Sequence, residues 1–76
     1  MKPFHLALAF WLATVTHGLA SAYSDFTAGI AARNRDDIAE SIRLLSSAIA
    51  SADLPAHLRP VAYFDRGTAY LDGQKV

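Results

Sequence analysis

The sequence predicts an all-α fold: an antiparallel helical hairpin and a third helix, preceded by a signal-peptide helix. Three observations predict it. A sixteen-residue stretch, Asp37 to Ala52, carries apolar residues at helical spacing. Two segments 38 residues apart share a pattern centred on glycine. The first 22 residues have the order of charge, apolar run and small residues that directs export.

The leader comes first. Lys2 supplies its positive start, and Leu6 to Val15 form an apolar core of ten residues. Thr16, His17 and Gly18 break that run. Ala20, Ser21 and Ala22 then give the small-x-small pattern that a signal peptidase accepts, which places the cut between Ala22 and Tyr23. A run of ten is short for a bilayer span, which needs about 20 residues. Residues 1–22 are therefore read as a signal peptide and 23–76 as the mature helical region.

Ser24 to Arg33 is expected to form the first helix, with Ser24 as its N-cap and with Phe26 and Ile30 one turn apart. Ala28, Gly29, Ala31 and Ala32 are small and allow another helix to come close. Asn34-Arg35-Asp36 is a polar turn. The helix from Asp37 to Ala52 then returns antiparallel. Ile38, Ile42, Leu45, Ile49 and Ala52 fall on one face of it. Asp37 is expected to cap its N-terminus, with Glu40 three residues on completing a capping box. An isolated helix of this length is marginal in water, so that face needs partners.

Asp53-Leu54-Pro55 ends this helix, and Pro55 suits the start of a new turn through Ala56 to Arg59. Val61 to Leu71 is the third helix, with Leu58, Val61, Phe64 and Leu71 as its apolar bulk and Tyr63, Gly67 and Tyr70 at i, i+4 and i+7. Asp72-Gly73-Gln74 is a turn signal.

Phe26 to Ala32 aligns with Phe64 to Tyr70: Phe, two residues, Gly, one residue, Ala in both copies. A period between about 20 and 50 residues marks a solenoid. These residues resemble the tetratricopeptide repeat. Tyr63, Gly67 and Tyr70 are similar to its first-helix pattern, and Asp37, Glu40, Ser41, Leu45 and Ala48 to its second. Ala32 stands where the first copy would carry Tyr. The 38-residue period exceeds the family's 34, and the extra residues fall around Leu54 to Leu58. The resemblance implies about one and a half repeats, incomplete at the C-terminus. In such a frame Gly29, Ile38, Ile42, Leu45, Ala48, Ile49, Tyr63, Gly67 and Tyr70 would pack the repeat. Phe26, Ile30, Arg33, Asn34, Phe64, Thr68, Leu71 and Asp72 would face a concave groove that takes a protein or peptide ligand. Phe, Ile and Leu in that set favour an apolar ligand.

Composition removes several classes of function. There is no cysteine, hence no disulfide or thiolate chemistry. Residues 23–76 carry six Lys or Arg against seven Asp or Glu, a net charge of −1, so nothing there attracts nucleic acid. His57 is the lone histidine after the leader and makes no zinc site by itself. Asp36 and Asp37 suit a helix N-terminus rather than paired catalysis. Ser46 and Ser47 lack a nucleophile elbow, and no phosphate-binding loop is present. Tyr63, Phe64 and Tyr70 read as packing aromatics rather than a cofactor box. The expectation is a non-enzymatic, cofactor-free and metal-free scaffold in the periplasm or outside the cell. It would meet the membrane only through its leader during export. Two other readings stand beside it: the docking segment of a longer envelope enzyme, and a protein tethered by an uncleaved leader. Because the third helix has one hairpin to pack on, the chain is expected to be a fragment of a longer protein or to fold by self-association.

Overall fold

A computed structural model describes residues 20–74, and the leader's charge and apolar run lie outside them. The described residues form three α-helices and one 3-10 turn, with no strand among them. We label them α1 (20–34), α2 (Ile38–Ala50), the 3-10 turn (Ala56–Leu58) and α3 (Arg59–Gly73). α1 and α2 pair as the hairpin, and α3 packs back on it.

Ser24 does not cap α1, contrary to expectation. The helix already runs from residue 20, and Ser24 lies inside it, its carbonyl accepting a bond from Thr27 Oγ1 at 3.1 Å. Ala20, Ser21 and Ala22 are small enough to continue the helix, and Ala22 is buried in the core. The far end of α1 is closed by backbone geometry. Asp36 has φ 63°, the left-handed region that few L residues enter. The Asp37 N–H reaches the Ala32 carbonyl at 2.8 Å, and the Asp36 N–H reaches Arg33 at 3.0 Å. This pair of bonds is a Schellman closure, with Asp36 at the position usually given to glycine. It turns the chain within three residues and sets α2 antiparallel.

The expected capping box at α2 does not form. The Asp37 side chain makes no capping bond. Its carboxylate lies 4.0 Å from Arg35. Glu40 is held by Arg43 through two bonds of 2.7 Å. The Schellman turn dictates the approach to α2, and an arginine one turn on competes for Glu40. The acidic pair still sits favourably at the positive end of the helix dipole.

The buried stripe of α2 is Ser41, Leu44, Leu45 and Ala48. Ile38, Ile42 and Ile49 are half-buried beside it, and Ala52 is exposed beyond the helix end. Helical periodicity explains the offset: α2 is sandwiched, and its buried arc is wider than one stripe. Ser41 and Leu45 face α1. Ile38 and Ser46 meet Gly73 and Arg66 of α3, and Ile42 lies on that side. The hydroxyl of fully buried Ser41 donates to the Gly29 carbonyl at 2.8 Å. Left without a partner, that hydroxyl would cost about 1–3 kcal/mol.

Arg59 ties the next connection together. Its guanidinium donates to the carbonyls of Ile49, at 2.9 Å, and Ser51. Both carbonyls belong to the end of α2, where four acceptors lack helical donors. This connection also contributes to the core: Leu54 is buried there, with Leu58 packed against it. Pro60 occupies the first turn of α3, where a missing N–H costs nothing.

The core holds Ala22, Phe26, Leu45, Ala48, Leu54 and Ala62, with Ile30, Ile49 and Leu58 against it. Half of the buried members are alanines, so backbones approach closely and bulk is concentrated in Phe26, Leu45 and Leu54. The inward residues of α3 are Ala62 and Ala69. The large residues expected to give α3 its packing bulk point elsewhere: Val61, Phe64 and Leu71 are exposed.

Candidate functional site

The candidate site is the surface where α1 and α3 lie side by side. Arg33 near the end of α1 clamps them. Its Nη1 lies 3.7 Å from Asp65, and its Nε lies 3.5 Å from Asp72. The Asp65 side chain is the more enclosed of the two carboxylates. One guanidinium between two carboxylates gives the clamp a net charge of −1 and fixes the spacing of the helices. Asp65 was not legible as a site residue. The cue lies in its spacing from Asp72, i to i+7, which puts both carboxylates on one face of α3.

Of the expected groove residues, the structure joins Arg33 and Asp72 at this surface, whereas Phe64 and Leu71, three before and four after Gly67, lie with it on the outer side of α3. Asn34, Phe64 and Leu71 are exposed, while Ile30, Arg33, Thr68 and Asp72 are half-buried. Thr68 Oγ1 donates to the Phe64 carbonyl at 2.9 Å, as helical Thr often does. Phe26 departs from the expected set. It is only 6% exposed and belongs to the core, with Tyr23 tilted against it at 6.5 Å. The angle along α1 accounts for this: Phe26 lies on the same side as Ala22 and Gly29, toward α2.

The two repeat-related glycines have opposite surroundings. A Cβ on Gly29 would lie 2.8 Å from Leu45 Cγ and 3.2 Å from the Leu45 backbone nitrogen. The close approach expected there is present, because Leu45 sits where that side chain would be. A Cβ on Gly67 would meet nothing within 4 Å, so the tight contact expected at that position is absent. Gly67 lies on the side of α3 turned away from the hairpin, and Tyr63 and Tyr70 beside it are half-exposed rather than packed between helices. Both rings are organised by Arg66. Its guanidinium carbon is 5.4 Å from the Tyr63 ring centre and 6.0 Å from that of Tyr70, and its Nη1 donates to Ser46 on α2 at 3.3 Å.

The residues flanking the expected cleavage site lie in α1: Ala20 is exposed, Ala22 buried and Tyr23 exposed. No helix among the described residues is long and apolar enough to cross a membrane. Among those residues no group of three His, Asp or Glu gathers as metal ligands. In comparisons with known proteins, no family model, no curated protein and no solved structure matches this chain.

Proposed function

We propose that this chain is an exported helical-repeat scaffold, similar to tetratricopeptide repeats, that holds a protein or peptide segment on the α1–α3 surface. The observation that supports the reading is the Arg33 clamp, which ties α1 to α3 through Asp65 and Asp72, with half-buried Thr68 four residues before Asp72. The acid-rich clamp disfavours acidic segments. The periplasmic or secreted location rests on Lys2, the Leu6 to Val15 run and Ala20-Ser21-Ala22.

Peptide-library selection on the immobilised full chain tests the binding. Apolar, non-acidic peptides are expected. Thr68→Arg should abolish their binding, whereas Arg43→Ala, on the exposed side of α2, should leave it intact. Failure to enrich any peptide, or binding indifferent to Thr68→Arg, removes the groove. A second reading, a protein tethered by its leader, is supported by one observation: Ala22, the last leader residue, is part of the core. Intact mass of the exported protein separates the two. Tyr23 as N-terminus supports the free scaffold, and retained Met1 supports the tether.

A further inference from the structure

The exposed side of α3 is built like a socket. The helix-surface neighbours of Gly67, at i−4, i−3, i+3 and i+4, are Tyr63, Phe64, Tyr70 and Leu71. They are 52%, 73%, 49% and 61% exposed, and the space above Gly67 is open. Four large side chains around an open position make the hole into which a facing helix inserts a knob. The structure contains one such fit already, since Leu45 of α2 occupies the space above Gly29.

We propose that this face binds a second copy of the chain through antiparallel pairing of α3 with α3, with a two-fold axis near Gly67. Three properties point to self-pairing. First, a two-fold interface needs hole and knob in the same patch. Here Gly67 is the hole, and Phe64 and Leu71 are knobs on its rim. An axis near Gly67 sets Phe64 of each copy opposite Leu71 of the other, and Tyr63 opposite Tyr70. Second, the stripe formed by Pro60, Tyr63, Phe64, Gly67, Tyr70 and Leu71 contains no charged residue, and the Arg66 guanidinium that borders it on the tyrosine side is engaged by both rings and by Ser46. Third, the area suits a reversible dimer. At about 150–250 Å² per aromatic side chain, the open fractions of Tyr63, Phe64, Tyr70 and Leu71 leave roughly 450 Å² uncovered. Two copies would bury roughly 900 Å², the size of a weak, transient interface.

The inference does not rest on the groove reading, and different variants test it. Sedimentation velocity of the full chain over a concentration series should show reversible dimer formation. Gly67→Arg should abolish it while keeping wild-type helicity, because the new side chain enters open space on a helix that arginine favours. Thr68→Arg should leave the dimer in place. As an independent measurement, Gly67→Cys should cross-link to itself under mild oxidation, the chain having no other cysteine. Ala52→Cys, in the exposed turn after α2, should cross-link far more slowly. A wild-type chain that stays monomeric overturns the proposal. So does association that survives Gly67→Arg, which would assign pairing to another segment, or cross-linking equal in the two cysteine variants.

Discussion

Replacing Gly29 and Gly67 by alanine, one at a time, perturbs two positions that the sequence makes equivalent and the structure makes opposite. Intrinsic helix propensity favours both changes, by up to about 1 kcal/mol each. At Gly67 nothing opposes that gain, because a Cβ there meets open space. At Gly29 the new Cβ would lie 2.8 Å from Leu45 Cγ, 2.9 Å from Cδ2 and 3.2 Å from the Leu45 nitrogen. Leu45 is fully buried, and the third contact is backbone, so relief requires α2 itself to move. Overpacking of this kind costs about 1–3 kcal/mol. Subtracting the propensity gain leaves Gly29→Ala destabilising by about 0–2 kcal/mol, whereas Gly67→Ala is stabilising by up to about 1. For a domain of this size 1 kcal/mol moves Tm by about 4–8 °C, within reach of thermal unfolding followed by circular dichroism. The two variants should therefore move Tm in opposite directions. Leu45→Ala supplies the control. Alone it should cost about 2–5 kcal/mol. Combined with Gly29→Ala it should cost less than the sum, because the methyl added at position 29 fills part of the cavity. Strict additivity, or a Gly29→Ala protein as stable as Gly67→Ala, would refute the close α1–α2 contact.

Four further outcomes follow from single contacts. Asp36→Gly should raise stability by up to about 1 kcal/mol, since φ 63° suits glycine better than an L residue, and Asp36→Val should lower it. Arg59→Met should lower stability by about 1.5–3 kcal/mol, the worth of charged hydrogen bonds, because the Ile49 and Ser51 carbonyls lose their donor, and hydrogen exchange should quicken at the end of α2. The Glu40 carboxyl is held below its ordinary pKa, mainly by its hydrogen bonds from Arg43. A depressed carboxylate pKa stabilises the fold above the unfolded-state value and ceases to do so as pH falls through the folded value. Glu40→Gln should thus be slightly less stable than wild type at neutral pH and equal to it at strongly acid pH, in paired melts; a gap that persists in acid contradicts this.

The helices were legible because their signals are local. Apolar residues at 3.6 spacing mark α2, and Pro55, Pro60 and Gly73 punctuate α3. The capping box failed because capping is a competition that spacing alone does not decide. Asp37 is positioned by the Schellman turn before it, and Glu40 has Arg43 within reach. The expectation that Phe26 faces a ligand failed in the same way. Phe26 and Phe64 occupy equivalent places in the internal repeat, yet one is core and the other is wet. Sequence similarity transmits the side chain but not its neighbours: α1 has α2 beside it, whereas the described structure leaves the matching face of α3 open. Arg59 and Ser41 were not legible at all, because each acts on backbone carbonyls that no sequence pattern displays.

Ala22 joins two requirements on one residue. Signal peptidase accepts a small side chain next to the cut, and the core accepts a small side chain where α1 begins to pack. Alanine suits both, but as alternatives: a cut after Ala22 would remove the residue that the uncut chain packs into its core. A cut after Ala22 would remove one buried methyl and the first turn of the described α1. It would also leave Ser24 second in the chain, at a helix start rather than inside a helix. Removing one buried methyl costs less than about 1 kcal/mol. On this accounting cleavage leaves the hairpin nearly as stable as before. Gly29, Ser41 and Leu45, which hold α1 to α2, all lie beyond the cut.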